Sequence, residues 1–125
     1  MKEEFLQKAK ENLVIAKLSF EHKCYNASAN RAYFAVFQSA IAALDDKGFL
    51  TKGRNDHKWI QSEFSEKLIK RKKIYPAKIK SYLMKMQMLR NMADYEYESV
   101  SKKDTVEQIR KAEEMIGFIQ KEIEK

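Results

Sequence analysis

Asn26-Ala27-Ser28-Ala29-Asn30-Arg31-Ala32-Tyr33-Phe34-Ala35-Val36-Phe37-Gln38-Ser39-Ala40-Ile41-Ala42-Ala43-Leu44-Asp45 is dense in alanine and aromatic residues and apolar on nearly all sides. A helix hydrophobic around its circumference belongs at the centre of a domain, so this segment, capped by Asn26 or Ser28, is expected to be the central helix. Arg31 interrupts it, sharing one side with Asn30, Phe34, Gln38 and Ile41. A desolvated guanidinium needs a partner or a ligand. Two readings follow: a structural ion pair with a carboxylate such as Asp94, or a ligand-binding role for Arg31 and Gln38.

Before this segment, Leu6, Ala9, Leu13, Ala16 and Phe20 recur at spacings of three and four, which predicts an amphipathic helix from about Lys2 to Glu21. His22 to Tyr25 breaks the pattern, with His22 at the helix end and Cys24 read as a small buried apolar residue. After it, Asp46 to Asp56 holds two of the three glycines and reads as the longest, most mobile loop. Asn55 or Asp56 then caps a third helix carrying Trp59, Ile60, Phe64 and Leu68 inward, ended by Lys70-Arg71-Lys72-Lys73. Pro76 suits the first turn of a fourth helix with an inward stripe of Ile79, Tyr82, Leu83, Met86, Leu89 and Ala93. Met84, Met88 and Met92 form a second stripe, read either as core packing or as a subunit interface. Asp104 is expected to cap a fifth helix with Val106, Ile109, Ala112, Ile116, Ile119 and Ile123 inward.

These elements predict an all-α bundle of five helices, four long and antiparallel plus a shorter one, folding as a single domain over residues 1–125. The formal charge of +7 and pI of about 9.4 favour polyanionic partners or a lysine-rich soluble surface. One cysteine excludes an internal disulfide, and the two separated histidines offer no metal-ligand spacing, so neither metal nor cofactor is expected. The absence of an apolar run of signal-peptide or membrane length points to a cytoplasmic protein without a membrane partner.

The residues of greatest chemical interest lie in Arg90-Asn91-Met92-Ala93-Asp94-Tyr95-Glu96-Tyr97. On an unbroken helix Arg90, Asp94 and Tyr97 share one face, whereas Tyr95 lies about 140° from Arg90. Together with Asn30 to Ala40 and the Asp56-His57-Lys58 segment, followed by Trp59, Ile60 and Phe64, this stretch resembles the HEPN family (higher eukaryotes and prokaryotes nucleotide-binding domain) over nearly the whole chain.

The resemblance implies an all-α homodimer, often paired with a minimal nucleotidyltransferase as toxin and antitoxin, and in many members a metal-independent endoribonuclease. The family motif is an arginine, four to six residues and a histidine, often with asparagine after the arginine and tyrosine two residues after the histidine. The matching positions read Arg90, Asn91, Tyr95 and Tyr97, and Gln38 stands where relatives often carry histidine. Cleavage would have an RNA 2′-hydroxyl attack the adjacent phosphate, with Arg90 and Arg31 stabilising the developing charge and Asp94, Tyr95 or His57 moving the proton. Asn91, Gln38 and the loop residue Arg54 join Arg31 as candidates for holding RNA or nucleotide, and Tyr97 corresponds to a tyrosine that some partner nucleotidyltransferases modify with AMP. With tyrosine in the histidine position, the alternatives are an RNase and a degenerate module that binds RNA, nucleotide or the nucleotidyltransferase without cutting. His57 reads either as an exposed first-turn residue or as a base brought in by the preceding loop.

Overall fold

In a computed structural model, residues 2–49 and 56–125 are described. Five α-helices follow one another: α1 (Lys2–Glu21), α2 (Tyr25–Asp46), α3 (His57–Glu63), α4 (Lys78–Tyr95) and α5 (Lys102–Ile123). Among the described residues there is no strand, so the chain has the all-α, five-helix architecture that its sequence pattern predicts. Arg54, Asn55 and most of the expected 46–56 loop lie outside the described residues.

α2 occupies the centre and packs against α1, α3, α4 and α5. Tyr33, Val36, Ala40, Ile41 and Leu44 are buried in the main core with Ile60, Phe64 and Leu68 from beyond the loop, Ile79, Leu83 and Met86 from α4, and Met115 and Ile119 from α5. A smaller cluster joins Leu6 and Ala9 of α1 to Ala35 and Ala42 of α2 and Ile116 of α5. The alanines provide α2 with close-packing surfaces that require no side-chain ordering.

The start of α2 differs from expectation. Lys23 adopts the left-handed region at φ 62° and turns the chain, so α2 begins at Tyr25 with Cys24 at the cap position, its side chain making no capping hydrogen bond. This surface turn exposes Cys24. Asn26 instead ties down the α4–α5 connection, accepting from Val100 N at 2.8 Å and donating to Ser99 Oγ at 3.2 Å. Buried Ser28 donates to the Ala16 carbonyl at 2.8 Å, joining α1 to α2.

Asp56 caps α3, accepting from Lys58 N at 3.0 Å and Trp59 N at 3.3 Å. α3 widens into a π-helical segment, Phe64–Arg71, and Lys72 N closes on the carbonyl of Lys67. The wider turn lets Phe64, Leu68 and Ile69 all point inward, a packing that the regular spacing did not include for Ile69. Pro76 precedes α4, and its carbonyl accepts from Ile79 N at 3.1 Å. Along α4 the buried stripe is Ile79, Tyr82, Leu83 and Met86; Leu89 and Ala93 are half-buried, and Met84 and Met88 are exposed.

Ser101, rather than Asp104, caps α5 by accepting from Asp104 N. Ala112, Ile116 and Ile119 of α5 are buried as expected, but Thr105, Gln108 and Met115 are buried as well, and Val106 is exposed. None of the helices among the described residues is long and apolar enough to cross a membrane.

Candidate functional site

His57 opens α3 directly beneath α2. Its Nδ1 lies 2.6 Å from Tyr33 Oη, and its ring stacks on Phe37 at 4.2 Å between centroids and on Tyr33 at 5.5 Å. Gln61, one turn further along α3, donates to Tyr33 Oη at 3.3 Å and to Gln87 Oε1 of α4 at 2.5 Å. Burial lowers the His57 pKa, and the nearby Arg90 charge lowers it further against the opposing effect of Asp56. The imidazole is therefore neutral near pH 7. Burial pushes the Tyr33 phenol up to about 12, so it remains a neutral hydroxyl beside that ring.

The same aromatic wall receives two arginines. Arg31 Cζ lies 5.2 Å and Arg90 Cζ 5.1 Å from the Phe34 ring centroid, and Phe34 meets His57 edge-on at 5.8 Å. Like charges gather here because the ring face and a polar chain compensate them. Arg90 Nε approaches Asp94 Oδ2 to 3.0 Å, but its N–H is not aligned as a hydrogen bond, so this is an ion contact between partly shielded side chains. Asp94 also accepts from Asn30 Nδ2 at 2.9 Å. Asn30 Oδ1 accepts from Arg31 Nε at 2.8 Å, Asn12 Oδ1 accepts from Arg31 Nη1 at 3.2 Å, and Asn12 Nδ2 donates to Gln38 Oε1 at 2.7 Å.

Arg31 therefore does not pair with Asp94. Asn30 stands between them, and the carboxylate goes to Arg90, one turn away on its own helix. The expected alignment of Arg90, Asp94 and Tyr97 also stops at Asp94: α4 ends at Tyr95, and Glu96 is extended at φ −111° and ψ 160°. Tyr97 thus lies beyond the helix and is fully exposed. Tyr95, still helical and 74% exposed, brings its ring within 5.6 Å of the Arg90 guanidinium carbon. Asn91 is exposed and accepts a long 3.4 Å hydrogen bond from Arg90 Nη1.

The arrangement brings together Arg31, Gln38, His57, Arg90, Asp94 and Tyr95, to which sequence reasoning had not assigned Tyr33, Asn12 or Gln61. Asn12 carried a signal, since it falls at spacings of three and four from buried Ala9 and Ala16. Tyr33 and Gln61 carried none, because an inward tyrosine on an apolar helix also suits plain packing. Chemically the site offers two guanidinium groups for an anion, a neutral imidazole and phenol hydroxyls. Among the described residues no group of three or more His, Cys, Asp or Glu side chains is placed to hold a metal ion.

A family model described as the HEPN domain matches residues 2–123. A candidate toxin of Methanocaldococcus jannaschii is 48% identical over 50 residues, which are 40% of this chain and 34% of that protein. The match thus spans about a third of the relative's length.

Proposed function

The chain belongs to the HEPN domain family, and from that premise we propose that it is a toxin-type protein that cleaves RNA without a metal ion. The observation that carries this reading is the pair of guanidinium groups on the Phe34 ring beside the stacked, neutral His57. The archaeal candidate toxin supports the toxin class.

In this reading Arg90 and Arg31 bind the scissile phosphate. In the same reading His57 takes the Nδ1–H tautomer facing Tyr33 Oη 2.6 Å away, which leaves the Nε2 lone pair to take the proton of the 2′-hydroxyl. The 2′ oxygen bonds to phosphorus, the bond to the 5′ oxygen breaks, and that oxygen takes a proton from Tyr95 or water. The products are a 2′,3′-cyclic phosphate and a 5′-hydroxyl. The guanidinium groups stabilise the charge that develops on the phosphorane, with Asp94 and Asn30 holding them in place. Asn91 supports Arg90, while Gln38 supports Arg31 through Asn12.

The protein would act in the cytoplasm as a homodimer, joined through α4 around its exposed Met88. The fully exposed Tyr97 phenol is accessible to AMP transfer by a nucleotidyltransferase partner. The added negative charge on the α4–α5 connection would then oppose an RNA phosphate.

The test is single-stranded RNA incubated with the protein in EDTA, alongside Arg90→Ala and His57→Ala. Cleavage by the parent protein that falls about a hundredfold or more in Arg90→Ala supports the enzyme. The tyrosine in the motif's histidine position favours a second reading, a binding module. Salt-sensitive RNA binding with no cleavage across a panel of RNAs would establish that reading and sink the first.

A further inference from the structure

A groove of about 290 Å³ runs beside the site, between α3 with its π-helical extension and the start of α4. Lys58, Lys70 and Lys80 line it with Gln61, Ser62 and Ser65. Glu66 is the one acidic lining residue, and it lies 3.8 Å from Lys70. Lys58 and Lys80 are exposed and have no ion-pair partner among the described residues. The groove thus carries a surplus of cations together with the Ser62 and Ser65 hydroxyls, a set suited to phosphate oxygens.

Gln61 connects this groove to the chemistry. It forms part of the groove wall and donates to Tyr33 Oη, which in turn meets His57. From His57 to Lys70 the helix advances by at most about 20 Å, enough to follow several successive phosphates. At its far end Arg71, Lys72 and Lys73 add three exposed cations.

We infer that this groove is a binding site for the phosphodiester backbone of single-stranded RNA, holding the nucleotides that flank the phosphate at Arg90 and Arg31. The inference deepens the proposed RNA function but does not require cleavage. The contacts read charge and spacing rather than base identity, so the groove sets affinity and the length of RNA engaged.

The experiment measures binding of a fluorescein-labelled, 2′-O-methyl single-stranded RNA, which cannot be cleaved, by anisotropy across a salt series. The groove variant is K58Q/K70Q/K80Q, and the control K102Q/K103Q/K121Q removes the same charge from exposed positions of α5. Circular dichroism verifies that both fold. Loss of three phosphate contacts is expected to reduce the slope of log affinity against log salt by about 2. The groove variant should also lose at least about tenfold in affinity at low salt, with the control losing less than about threefold. Equal losses in the two variants would overturn the groove, and if Arg90→Ala alone weakened binding, the RNA reading would stand without it. Groove-dependent binding by a protein that cuts no RNA would sink the nuclease and leave this inference intact. Binding to phosphatidylserine vesicles but not to RNA would overturn it.

Discussion

Tyr33 and Tyr75 are both buried phenols in aromatic stacks, and they differ in what meets the hydroxyl. Tyr33, wholly buried in α2, shares its oxygen with His57 and Gln61. Tyr75, 4% exposed in the turn before α4, stacks on Phe64 at 5.4 Å, and its hydroxyl meets no hydrogen-bond partner among the described residues. Burial raises both phenols, and the Glu122 and Asp46 charges raise Tyr75 further. A shifted phenol by itself therefore says little about function. The partners separate the two regions: around Tyr75 the rings fill space, whereas around Tyr33 they orient an imidazole beside two arginines.

The harshest test of the packing region is Phe64→Ala. Removing this fully buried ring should cost about 3–5 kcal/mol in urea denaturation. A loss below about 1 kcal/mol would show that the Tyr75 region is not a packing anchor.

Tyr33→Phe tests the other region. It strips Nδ1 of His57 and the Gln61 amide of a shared partner, for an expected loss of about 1–2 kcal/mol. A neutral outcome would place Tyr33 in the same class as Tyr75.

The pH dependence of stability sharpens the contrast. Because the folded His57 pKa is lowered, the unfolded chain binds more protons as pH falls past about 6.5. Stability should be full above that value, decline as pH falls toward the lowered folded pKa, and then level off with respect to this group. His57→Gln should flatten that part of the curve. In NMR titrations of the otherwise intact protein, Arg90→Ala should move the His57 midpoint upward, since it removes a neighbouring positive charge. An unmoved midpoint would mean that Arg90 and His57 are not electrostatically joined.

The smallest effect belongs to Tyr75→Phe. Deleting a buried hydroxyl without a partner should change stability by no more than about 0.5 kcal/mol, or raise it slightly. A loss above about 1 kcal/mol would indicate a bonded hydroxyl and erase the comparison.

Much of this architecture was legible because helical periodicity is local. The all-round apolar character of α2 identified it as the centre, and the i, i+4 spacing of Arg90 and Asp94 set them on the one face where they meet, although Arg31 was the partner expected for Asp94. Ala112, Ile116 and Ile119 of α5 face inward as expected, but its first turns differ, because buried Thr105 and Gln108 do not announce themselves as core. Tyr97 was placed on the wrong side of a helix end because the extended backbone at Glu96 leaves a weak mark on the sequence.

The sequence alone determined the helices and the pairs within a turn of one another, since both follow from the 100° step of a single segment. It also carried the residue pattern that marks the family. Only the tertiary structure decided that His57 stacks beneath Tyr33, that Asn30 separates Arg31 from Asp94, and that both arginines meet at Phe34. Those encounters depend on how separate helices are rotated and set against one another. That rotation is fixed by the packing of the whole core around α2, and no single segment encodes it.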